Sequence, residues 1–151
     1  MRLPPISPAP MPPEHAASPR PLHTLRLPVR WGDMDVLGHV NNAMYLRYFE
    51  QSRIDWLGTL GIFLTGEGEG PVLLKATVTW LRPVTYPGDI EVRLFPGRVG
   101  GTSFHLGGEI VNARDAAERC SQADFVLVWT DYGTKRPVRV PERLRAILEA
   151  R

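Results

Sequence analysis

One cysteine in 151 residues, Cys120, leaves no partner for an intrachain disulfide and no cysteine cluster for a metal. A reducing cytoplasm is the expected compartment. No apolar run approaches the roughly 20 residues that span a bilayer. The first residues, MRLPPISPAPMPPEHAASPRPL, contain no continuous apolar stretch, so a secretory signal is not expected. An excess of either charge sign is also lacking. A net charge of +2 argues against a dedicated nucleic-acid binder. GxGxxG, a phosphate loop and βαβ alternation are all missing, which argues against the nucleotide-binding α/β folds.

What is present is an ordinary hydrophobic fraction of 43% in a chain long enough for one domain. Prolines 4, 5, 8, 10, 12, 13, 19 and 21 mark residues 1–21 as an extended head with no catalytic role. The domain proper is expected over 22–151. Leu25, Leu27, Val29 and Trp31 alternate with Thr24, Arg26, Pro28 and Arg30, which predicts a strand, with Pro28 at an edge or bulge. Asn41 or Asn42 caps a helix running to about Leu60. Its apolar face is expected at Asn42, Leu46, Phe49, Glu50, Arg53, Leu57 and Leu60, with Glu50 and Arg53 paired at i,i+3.

After the TGEGEG connector at 65–70 come four strand-like runs: Val72–Leu81, Ile90–Val99, Thr102–Val111 and Arg119–Thr130. They are separated by turn signals and predict an antiparallel meander. A short helix from Pro141 to Glu149 closes the chain. One long helix against five antiparallel strands is an α+β layer architecture.

Chemistry concentrates in Trp31–Arg53, WGDMDVLGHVNNAMYLRYFEQSR. Two carboxylates, a histidine and two asparagines precede a helix start. Free N–H groups and a partial positive charge there can bind a carbonyl oxygen, and the acid and imidazole can activate water beside it. Each residue also has a plain structural reading. Asp35 can cap backbone amides. Asp33 can form a turn, or share a face with Asp35 so that one carboxylate titrates higher. His39 can bond Asp35, orient water or simply pack. Asn41 and Asn42 read first as caps. Thr102 and Ser103 follow a Gly-Gly turn, and Lys75 and Arg82 read as solvated strand positions. Basic residues gather at Lys135, Arg136, Arg139, Arg143, Arg145 and Arg151, against Glu142 and Glu149. They are either a solvated tail or an attraction for an anionic ligand. No strong zinc spacing occurs, and no metal or separate cofactor is expected.

This segment resembles the hotdog-fold acyl-CoA thioesterases, in particular the hydroxybenzoyl-CoA thioesterase-like group. VTWLRPVTYPGDIEV at 78–92 and Gly101-Thr102-Ser103 resemble it too, so the likeness covers about residues 22–140. The resemblance implies a hotdog fold and hydrolysis of an acyl-CoA. It implies Asp35 as general base or nucleophile, His39 in support, and the N–H near Asn42 as the oxyanion donor. Asn41, Thr102, Ser103, Lys75 and Arg82 are the substrate-binding candidates. It also implies a homodimer or homotetramer that binds ligand between subunits. Two other readings are a hotdog hydratase or dehydratase, which the order of histidine before asparagines disfavours, and a non-catalytic acyl-thioester-binding module.

Overall fold

The computed structural model describes residues 20–150; the head at 1–19 and Arg151 lie outside the described residues. The elements are β1 (His23–Pro28), a 3-10 turn (Trp31–Asp33), α1 (Asn42–Thr59), β2 (Glu69–Trp80), β3 (Asp89–Val99), β4 (Ser103–Asn112), β5 (Asp115–Asp131), β6 (Arg136–Pro137) and α2 (Glu142–Glu149). Five strands form an antiparallel sheet in the order β1-β3-β4-β5-β2, and the two-residue β6 pairs with β5. The long helix packed on this sheet is the expected hotdog arrangement.

The expected meander holds for β3, β4 and β5 but not for β2. That strand pairs with β5, Val78 opposite Ala123 and Trp80 opposite Ser121. The reason is that β1 already occupies the free edge of β3, with Leu25 opposite Val92. The opposite edge is the place left, so α1 carries the chain from one side of the sheet to the other.

The core follows from strand alternation. Ile90, Val92 and Leu94 on β3, Phe104, Leu106 and Ile110 on β4, and Phe125, Leu127 and Trp129 on β5 are all buried. Gly108 lies directly beneath α1. A Cβ there would stand 2.7 Å from Phe49 Cε1 and 3.0 Å from Phe125 Cε2, so only glycine allows this approach.

Three further sequence expectations change. Trp31 is not the inward end of a strand; it is 77% exposed. The ladder stops at Pro28, and the Asp33 carboxylate takes the Arg30 N–H (3.0 Å), turning the chain. The helix is also rotated about its axis by about 60° from its expected phase, at 100° per residue. Its buried positions are Tyr45, Tyr48, Phe49, Ser52, Arg53, Trp56 and Leu57. Tyrosine and tryptophan carry large apolar bodies with polar tips, and their burial decides the phase. Glu50 pairs with Arg47, not Arg53. No helix among the described residues is long and apolar enough to cross a membrane.

Candidate active site

The junction between the 3-10 turn and α1 is built on a buried acid. Asp33 is 3% exposed. Its carboxylate accepts from Tyr48 Oη (2.7 Å) and from the Arg30 backbone N–H, and it faces the Arg30 guanidinium (3.2 Å). Burial pushes its pKa up, but these donors outweigh burial and hold the carboxyl below the usual value of 3.8. Asp33 is thus neither a surface residue nor one half of a carboxylate pair with a raised pKa. In return, burial and the adjacent Asp33 raise the Tyr48 phenol. The Asp33 carbonyl also accepts the Asn41 N–H (2.9 Å), which fixes where the helix begins.

Asp35 opens a tight loop on this frame. Gly38, at φ +77°, donates to the Asp35 carbonyl (3.1 Å), and Asp35 N–H donates to the His39 carbonyl (2.9 Å). The positive φ favours glycine at that position. The Asp35 side chain accepts the Leu37 N–H (2.9 Å), the capping geometry open to it from sequence. Its carboxylate is half-buried, with acceptor capacity left over. His39 is exposed, and its link to Asp35 is through backbone. Asn41 is the N-cap, its Oδ1 accepting the Ala43 N–H (2.9 Å). Asn42 is the first helical residue and is exposed. Among the described residues no acceptor takes its N–H, so that donor and the positive end of the helix dipole are open to a ligand.

The connection after β2 ties down the same end of the sheet. Val40 N–H donates to the Val84 carbonyl (2.8 Å), and Val84 N–H donates to Tyr45 Oη (3.3 Å). Tyr45 meets Trp80 edge-on at 6.3 Å. Arg82 is therefore at the Asp35 end, exposed and 3.9 Å from Glu118.

The other candidates are elsewhere. Trp80 pairs with Ser121, and Ser121 with Ile110. Ser103 is seven residues along β4 from Ile110, about 24 Å at 3.4 Å per residue. Thr102 and Ser103 are thus at the opposite end of the sheet from Asp35. The basic cluster is there as well: Arg145 donates to the Gly100 carbonyl (2.6 Å), and Lys135, Arg136, Arg139 and Arg143 are exposed. Lys75 pairs with Val126 and shares its face, the one directed away from α1. The chain therefore unites Asp35, His39, Asn41 and Asn42, and leaves Thr102, Ser103 and Lys75 apart. Sequence reading missed Arg30, Tyr45 and Tyr48; buried tyrosine tips need partners, and that need was the available signal.

Residues 29–148 match the family model of the thioesterase-like superfamily. The chain belongs to that superfamily, and the class of enzyme that this family and this fold define is the thioester hydrolase. Among solved structures it is similar to the PA2801 protein of Pseudomonas aeruginosa, with 42% identity and a TM-score of 0.81 over 84% of this chain and 98% of that one. Among curated proteins it is 29% identical over 82% of its length to the chloroplastic acyl-acyl carrier protein thioesterase ATL3 of Arabidopsis thaliana, of which it spans 66%, just under two thirds. It is 25% identical to the long-chain acyl-CoA thioesterase FadM of Escherichia coli, over 82% of this chain and 95% of that one.

Proposed function

We propose that this protein hydrolyses acyl-CoA thioesters, with Asp35 as general base or nucleophile and the Asn42 N–H as oxyanion donor. The observation that supports this reading is the closed Asp35–His39 loop, which carries a carboxylate with spare acceptor capacity and leads within three residues to a helix start whose first N–H has no acceptor among the described residues. In the general-base route Asp35 accepts a proton from water while the water oxygen bonds to the acyl carbon. Negative charge on the carbonyl oxygen is met by the Asn42 N–H and the helix dipole. The C–S bond then breaks, and the proton passes to the departing CoA thiolate. In the nucleophilic route the Asp35 carboxylate bonds the acyl carbon, the C–S bond breaks and CoA leaves as thiolate; water then cleaves the resulting anhydride, releasing the acid, restoring the Asp35 carboxylate and supplying the proton that the thiolate takes up. His39 sits at the loop mouth, where it can relay a proton. No cofactor is required.

The substrate site is shared between subunits in this reading. β2 is an edge strand with one side unpaired, and Val72, Leu73 and Leu74 on it are exposed. Such an edge invites pairing with a second copy. The partner's Thr102–Ser103 end and basic cluster then supply what one subunit leaves distant, and the basic side chains there, with Arg82, attract the CoA phosphates. The test is release of free thiol from a panel of acyl-CoAs and acyl-carrier-protein thioesters, with the Asp35→Asn variant alongside.

A further inference from the structure

α1 buries a cation that forms no ion pair among the described residues. Arg53 is 7% exposed, and among the described residues its Nη1 has no hydrogen-bond partner. Its guanidinium lies over the Phe125 ring, 4.7 Å from the centroid. Glu50, one turn earlier, is engaged by Arg47. Stacking on an aromatic face recovers part of the desolvation cost, but an unpaired buried charge stays expensive. Burial accordingly lowers the Arg53 pKa, opposed by the charge of Glu50.

The location of this cation suggests what pairs with it. Tyr48 and Asp55 point to the β1 side of the helix, through Asp33 and His23. Phe49 and Arg53 are on the other flank, against Phe125 of β5. Ala76 of β2 is opposite Phe125 and shares its helix-facing side of the sheet, yet it is exposed. A small residue there leaves the strip between α1 and β2 uncovered within this chain. Leu46 on the helix and Trp80 on the strand are exposed apolar side chains, and Val78 beside Ala76 is partly buried against the core, so the strip is bordered by apolar residues. Apolar walls with one fixed polar group are the usual composition of a selective ligand site. Arg53 is eleven residues beyond Asn42, about 16 Å along the helix, and its long side chain leans back toward the N-terminus.

We propose that Arg53 anchors the far end of the acyl group, and that this strip takes medium-chain acyl thioesters bearing a distal carboxylate. The carboxylate meets the unpaired guanidinium while the chain lies along the apolar border from the oxyanion site. This rests on the hydrolase reading for where the thioester sits.

The test compares two CoA thioethers of equal chain length, one ω-carboxylated and one plain, by calorimetric titration. Turnover of the matching thioesters is followed in parallel. The carboxylated ligand should bind about 10- to 100-fold more tightly, the range of a charged hydrogen bond. Arg53→Met, which keeps the stem and loses the charge, should abolish that ratio; Arg53→Lys should keep part of it. Methionine in place of an unpaired buried charge is compatible with folding, and Arg53→Gln gives the same comparison if it is not. Equal binding of the two thioethers by the unaltered protein overturns the proposal. So does an Arg53→Met change in oligomeric state with the ratio intact, because the counter-charge then comes from a second copy. Thioether discrimination without any thioester turnover supports the subsite and removes the hydrolase reading. Turnover without discrimination does the reverse.

Discussion

Tyr48 donates its phenolic proton to Asp33 across fifteen residues of sequence, at 2.7 Å and out of solvent. This bond joins the second turn of α1 to the 3-10 turn that precedes it, and the loop carrying Asp35 is suspended between them. Tyr48→Phe should cost about 1–3 kcal/mol by leaving a buried acceptor short of a donor. The pH dependence has a definite sign. Asp33 titrates below 3.8 in the folded chain, so its contribution is complete above that value and is lost as pH falls through the lower folded value. Urea unfolding at pH 7 and pH 3 should therefore show a smaller acid-induced loss for Asp33→Asn than for the unaltered protein. Equal losses would remove Asp33 from this account of stability.

Gly108→Ala should destabilise the fold by about 1–3 kcal/mol, the range for overpacking. The added methyl meets Phe49 and Phe125 at 2.7 and 3.0 Å, and two interleaved rings have little room to give. Thermal unfolding checks this; an unchanged midpoint would mean that α1 rises from the sheet without cost.

The unpaired side of β2 predicts at least a homodimer. Leu74 is 70% exposed on that strand. Leu74→Pro should shift sedimentation toward the monomer, since proline disturbs an edge and removes a donor. Thiol release should fall with it if the site is shared. A monomeric unaltered protein at micromolar concentration would count against the shared site.

The local parts of this structure were legible in the sequence. Alternation in Ile90–Leu94 and Phe104–Ile110 marks the inward faces of β3 and β4, and Asn41 or Asn42 reads as a cap, of which the structure has Asn41. What depended on distant partners was not legible. The place of β2 beside β5 is set by which sheet edges remain free, and no local pattern encodes it. Asp33 looked like a surface turn former because its partner Tyr48 is far along the chain. The phase of α1 was misread because Tyr45, Tyr48 and Trp56 bury apolar bodies behind polar tips. Leu46 and Glu50, expected on the core face, instead lie outside it, Leu46 exposed and Glu50 paired with Arg47. The Asp35 loop was legible as a loop before a helix; the distance from it to Ser103 was not.

The most direct test of the central claim is thiol release by Asp35→Asn, which keeps the side chain's size and removes its charge. The variant should fold normally, because Asp35 serves the loop through a single accepted N–H that asparagine's Oδ1 can also take. Turnover should fall by about 10²–10⁴-fold, the range for a general base, with His39→Ala costing less. Near-full turnover by a folded Asp35→Asn protein would contradict the assignment of the site.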